Sequence, residues 1–117
     1  MDFEASKKSD YTLVKVLNDR LDTNNAPDLK SELVTINSSG EKNIILDLSN
    51  CEYCDSSGLS AILVANRLCE DSIGTFVLTG LQSNVEQIIR ISMLHTVLLI
   101  TRTVDEAESL LKEKETI

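Results

Sequence analysis

The sequence predicts a layered α/β domain, a mixed and mostly parallel β-sheet flanked by about four α-helices. Three observations carry that expectation. Runs rich in β-branched and apolar residues alternate along the chain with stretches whose apolar residues recur at helical spacing. "NIILDL" (43–48) has almost no polar alternation, as befits a central strand with both faces buried. One proline, four glycines and no low-complexity tract or internal repeat leave nothing that reads as a linker, so residues 1–117 are expected to form a single domain.

In order, "FEAS" (3–6) and "YTLVKVL" (11–17) read as two strands paired across a polar turn. "LDTNNAPDL" (21–29) is a helix entrance. Asn24 or Asn25 can cap it, Pro27 is tolerated in the first turn, and Asp28 suits the positive end of the helix dipole. Leu29, Leu33 and Ile36 continue that helix until "SSG" (38–40) stops it. After "NIILDL" and a turn at Ser49-Asn50 comes "CEYCDSSG", followed by the helix "LSAILVANRLCE" (59–70), whose small Ala61 and Ala65 suit close packing on a sheet. "TFVLTG" (75–80) and "VLLI" (97–100) are further strands. Ser83 with Glu86, and Thr103 with Glu106, have capping-box spacing ahead of the last two helices.

Composition narrows the function. A net charge of −8, from 11 Lys and Arg against 19 Asp and Glu, argues against a nucleic-acid or anionic-membrane surface. With no Trp, two Tyr and two Phe, platforms for stacking bases are scarce. The absence of an apolar leader or a membrane-length run predicts a cytoplasmic protein with no membrane insertion. Thiols stay reduced in that compartment, and three cysteines form no disulfide framework.

"CEYCDSSG" (51–58) poses two chemistries. Cys51 and Cys54 have the spacing of a redox or metal pair, but a structural zinc site needs four ligands. Cys69 and His95 do not recur at paired ligand spacing. A redox pair also wants its first thiol at a helix N-terminus, whereas Cys51 falls in the turn after a strand. Cys51, Tyr53 and Cys54 therefore read as packing positions around an exposed Glu52, with no metal and no cofactor expected. His95, at the end of a helix, reads as a surface or capping residue. "DSSG" taken alone is an ordinary helix cap. A hydrolase is not suggested, since the G-x-S-x-G elbow is absent, as are a Gly-rich phosphate loop and a Walker lysine.

The order apolar strand, turn, "DSSGL", amphipathic helix, preceded by "LDTNNAPDL", resembles the STAS domain, in particular the free-standing bacterial anti-sigma-factor antagonists. The resemblance runs from "VKVLNDRLD" to "VDEAESLL". It is densest at Leu21-Asp22 with Ala26 and Leu29, at "IILDLSNCEYCDSSGL" and at "ISMLHTVLLI". It implies a STAS-like fold, no catalysis, and Ser56 as phosphoacceptor. The unphosphorylated form would bind an anti-sigma factor that is also a serine kinase, so releasing the sigma factor. Phosphorylation at Ser56 would break that complex, and a serine phosphatase would reset it. Asp22, Thr23, Asn25, Asp55, Ser57, Gly58, Leu59 and Ser60 are the candidate partner-binding residues, each with a structural role as an equal reading. The domain is expected to be a monomer or weak homodimer. Two positions depart from the family's glycines, Asp19 and Met93. The competing functions are a STAS scaffold subunit of a membrane transport or stress-signalling complex, and a small thiol or metal protein using Cys51 and Cys54.

Overall fold

A computed structural model describes residues 2–115. The strands are β1 (Phe3–Lys7), β2 (Thr12–Val16), β3 (Arg20–Leu21), β4 (Ile44–Asp47), β5 (Tyr53–Cys54), β6 (Phe76–Thr79) and β7 (Leu99–Thr101). The helices are α1 (Ala26–Ser38), α2 (Ser56–Asp71), α3 (Ser83–Ile91) and α4 (Val104–Glu115), with a 3₁₀ turn at Leu94–Thr96. Five strands form the main sheet in the order β1-β2-β4-β6-β7. Only β1 runs antiparallel to its neighbour, Phe3 opposite Val16; β2, β4, β6 and β7 are mutually parallel. The expected fold class is the observed one.

Strand alternation sorts the core into two layers. Ile44 and Leu46 of β4, with Phe76 and Leu78 of β6, face the helices that carry Leu29, Leu33, Ile62, Val85 and Ile89. Ile45 and Val77 turn the other way, onto Tyr11, Ala107 and Leu111. Thus α1, α2 and α3 cover one face and α4 alone covers the other. β4 is buried at every position and occupies the middle of the sheet, which is why "NIILDL" carries no polar alternation. Ala61 and Ala65 are fully buried, letting α2 lie close to the sheet. Tyr11 donates its hydroxyl to Glu108 across the smaller core, and burial raises its pKa to about 12, with the Glu108 contact adding to the shift.

The local expectations fared differently. The Thr103 hydroxyl accepts the Glu106 N–H at 3.1 Å, so α4 carries the cap its spacing predicts. The reciprocal arm of the box is shifted: the Glu106 carboxylate accepts the Arg102 N–H at 2.9 Å instead of that of Thr103. Ser83, by contrast, is the first helical residue of α3 rather than its cap. Gln82 holds the cap position and donates its side-chain amide to Ser49 O at 2.8 Å, while Glu86 pairs with Arg90 one turn along. α2 begins at Ser56, three residues earlier than expected. "VLLI" is displaced to Leu99–Thr101 because Leu94–Thr96 coil into the 3₁₀ turn. The paired short strands β3 and β5 have no counterpart in the sequence reading.

Of the two positions where the resemblance expects glycine, Asp19 keeps an ordinary backbone, whereas Met93 is left-handed at φ 63°. That conformation costs an L-residue roughly 1–2 kcal/mol.

Two substitutions separate the caps. Thr103→Ala should cost about 1 kcal/mol in thermal or urea unfolding. Ser83→Ala should stay within about 0.5 kcal/mol, because its side chain makes no capping bond.

Candidate functional site

Two connections meet beyond the carboxyl ends of β2 and β4. One runs from Asp19 into α1, the other from Ser49 into α2. They are laced by the parallel β3–β5 pair, Arg20 opposite Tyr53 and Leu21 opposite Cys54. The Asp19 carbonyl accepts the N–H groups of Glu52 at 2.7 Å and Tyr53 at 3.2 Å, and Leu21 O accepts the Asp55 N–H at 3.2 Å. Leu21 itself is fully buried, an anchor contributing roughly 1.5–3 kcal/mol of apolar burial.

Gly58 lets the first turn of α2 press onto this lattice. A Cβ there would lie 2.5 Å from Cys54 Sγ and 2.6 Å from Leu21 O, nearer than real Cβ contacts come. Asp55 caps the helix. Its Oδ1 accepts the N–H groups of Ser57 at 2.9 Å and Gly58 at 3.1 Å, and its Oδ2 accepts the Thr23 hydroxyl at 3.3 Å. Thr23 Oγ1 also lies 3.3 Å from Ser57 Oγ. Desolvation pushes the Asp55 carboxyl upward, but the bonds from Gly58, Ser57 and Thr23 outweigh it and hold the pKa below its ordinary 3.8.

Ser56 is the first residue of α2 and exposed, and its hydroxyl makes no hydrogen bond within the described residues. Thr23, Asp55, Ser57 and Gly58 are gathered next to it. Asp22 sits at the α1 entrance, where its Oδ1 accepts the Asn24 N–H at 3.0 Å and its Oδ2 the Arg20 Nε–H at 3.3 Å. Leu59 and Ser60 follow on α2, both half-buried. Asn25 is different. Only 4% exposed, it accepts the Asp22 N–H at 2.9 Å and donates to Arg20 O at 2.8 Å. It stands at the cap position of α1, yet its side chain braces the preceding loop instead of capping.

The sequence reading also misassigned Tyr53. It is no packing residue: it is 40% exposed, with the Arg20 guanidinium 4.5 Å above its ring. Strand alternation is the missed signal, because Cys54 points inward in β5 and Tyr53 must then point outward. Arg20 was likewise unmarked; it lies over Tyr53 and pairs with Asp22.

Cys51, Cys54 and Cys69 are buried in the larger core. Burial raises all three thiol pKa values, to about 12 for Cys54 and Cys69, which opposes thiolate chemistry. Among the described residues no three His, Cys, Asp or Glu side chains converge for a metal, and no helix is long and apolar enough to cross a membrane.

Gly58→Ala should destabilise the domain by about 1–3 kcal/mol in urea unfolding, through overpacking against Leu21 and Cys54. The depressed Asp55 pKa gives stability that is complete above 3.8 and is lost as pH falls through the lower folded value. Asp55→Asn should therefore flatten that acid limb in pH-dependent melts.

Comparison with known proteins accords with this arrangement. The family model described as the STAS domain matches residues 3–107. A Bordetella bronchiseptica protein assigned as an anti-sigma factor antagonist, BtrV, is 31% identical over 85 residues, 73% of each chain. The crystal structure of a Thermotoga maritima protein assigned to the same class superposes with a TM-score of 0.85 at 25% identity, covering 94% of both chains. Bacillus SpoIIAA in its phosphorylated form shares the fold, with a TM-score of 0.72 at 16% identity over 92% of this chain and 98% of that one. The chain belongs to the STAS domain family and is similar along most of its length to members named anti-sigma factor antagonists.

Proposed function

We propose that this protein is a phosphorylation-controlled anti-sigma-factor antagonist with Ser56 as its switch. Unphosphorylated, it binds an anti-sigma factor that is also a serine kinase; phosphorylation at Ser56 ends the complex, and a serine phosphatase restores it. The observation that carries the reading is the free, exposed hydroxyl of Ser56 on the first turn of α2, beside a fully engaged Asp55 cap. A kinase can reach such a hydroxyl without opening the fold.

The electrostatics fit a switch that works by repulsion. A helix N-terminus ordinarily welcomes an anion through its free N–H groups. Here the Asp55 carboxylate already holds the N–H groups of Ser57 and Gly58. A phosphate on Ser56 adds about −1.5 to −2 charges next to that carboxylate, leaving much of its charge to be felt by a partner. Against one acidic group of the partner about 6 Å away it costs roughly 1–5 kcal/mol before salt screening. Each ~1.4 kcal/mol is tenfold in affinity, so binding can be switched with the backbone unmoved. Thr23, Ser57, Tyr53 and Arg20 are assigned with Ser56 to the proposed partner surface.

The test is affinity capture from the source organism's lysate with wild-type, Ser56→Ala and Ser56→Asp baits, read by mass spectrometry. A serine kinase of the ATPase type held by wild type and Ala but lost with Asp supports the switch. If all three baits retain the same transporter or assembly component and no kinase, the domain is a scaffold and Ser56 is a helix-start residue only.

A further inference from the structure

We propose that Arg20, stacked on Tyr53, is the anchor of the partner contact: a preformed guanidinium fork that takes one carboxylate of the kinase and so fixes its register on the Ser56 pole. This rests on reading the protein as an anti-sigma-factor antagonist, and it names the side chains that give that contact its affinity. Neither belongs to the partner-binding set that the family resemblance implies; the fold alone pairs them.

Both side chains are held from the backbone up. Arg20 and Tyr53 sit opposite each other in the β3–β5 pair. The Arg20 N–H donates to Asn18 Oδ1 at 2.9 Å, and its carbonyl accepts the Asn25 amide at 2.8 Å. The Tyr53 N–H is bonded to Asp19 O, and its carbonyl accepts the Cys51 thiol at 3.1 Å. Above this brace the guanidinium carbon lies 4.5 Å from the ring centroid, and Nε donates to Asp22 Oδ2 at 3.3 Å. The two terminal NH2 groups make no hydrogen bond among the described residues, and the Arg20 side chain is 57% exposed. A guanidinium held in place with those donors unspent can accept a carboxylate through two parallel bonds. Because the stack exists in the free protein, less rotamer freedom is lost when a partner arrives.

The surroundings define what the fork takes. Asp19 and Glu52, the exposed chain neighbours of Arg20 and Tyr53, carry negative charge, as do Asp22 and Asp55 at the two helix entrances. A partner meeting this pole faces those carboxylates with the Arg20 guanidinium among them. Its own surface must be neutral or basic over most of the contact, and it gains from a carboxylate at Arg20. That contrast sets register, since a displaced partner would bring carboxylate against carboxylate. Tyr and Arg are also enriched among the residues that dominate interface affinity, and Tyr53, 40% exposed, adds apolar area at small entropic cost.

Titration calorimetry of the full chain tests this, against the serine kinase that the wild-type bait retains, produced as a pure protein. Arg20→Ala and Tyr53→Ala should each weaken binding by about tenfold or more. The double substitution should cost little beyond either one, because the two side chains act as a unit. Arg20→Lys keeps the charge but not the fork and should stay weak, whereas Tyr53→Phe keeps the ring and should bind as wild type does. Both positions are exposed, so circular dichroism and urea unfolding should show every variant folded. If Arg20→Ala and Tyr53→Ala bind as tightly as wild type while Ser56→Asp does not, this proposal falls and the antagonist reading stands. If wild type retains no kinase, both fall.

Discussion

The Ser56 pole depends on a missing side chain. Gly58 is the point at which the first turn of α2 meets the backbone of Leu21 and the thiol of Cys54, and there is no room for a Cβ between them. Because that contact is so short, the connection after β2 and the connection after β4 become one surface. The two-residue ladder between β3 and β5 is too small to hold them by itself. It holds because Leu21 and Cys54 are buried beneath it and because the cap at Asp55 is bonded to Thr23 across the seam. Ser56 inherits its position from this arrangement: the residues on either side are fixed, and its own hydroxyl is the group left over.

The same constraint shapes the electrostatics. Asp55 is occupied in holding the helix start, and Asp22 in holding the loop before α1. Both carboxylates serve the backbone, yet both leave negative charge near the exposed serine. Arg20 offsets part of it, pinned over Tyr53 and paired with Asp22. A rigid, already acidic surface with an unused hydroxyl suits signalling by added charge, because little conformational energy has to be spent to make the change visible to a partner.

The far edge of the sheet follows from how the chain winds. Laying three successive helices on one face buries β4 completely, and sending α4 to the opposite face closes the second layer over Ile45 and Val77. A single helix suffices there, since Tyr11, Ala107 and Leu111 complete that smaller core. The consequence is an edge strand half-covered on one side, with exposed Ile91, Met93 and Val97 leading into it. The serine site and this edge arise from different parts of one topology, the first from close approach and the second from a helix that went elsewhere.

By itself the sequence determined the fold class, the central place of "NIILDL", the buried alanines of α2 and the cap at Thr103, because each depends on residues near one another in the chain. That "DSSG" opens a helix was legible in its residue types, and Ser56 does begin α2. Only the tertiary structure decided what lies around it. The β3–β5 ladder is two residues long, too short for periodicity to register, and its partners are about thirty residues apart. Asn25 looked like a surface cap, but its amide found better-placed partners in the Arg20 carbonyl and the Asp22 N–H. Ser83 had capping-box spacing, yet Gln82 reached Ser49 on another loop and moved the helix start. Tyr53 turned outward, and Arg20 came to it, because the register of β5 against β3 points Cys54 into the core. Local propensity is set by neighbours in sequence, whereas caps, loop braces and exposed pairs go to whichever partner the packed sheet brings within hydrogen-bond reach.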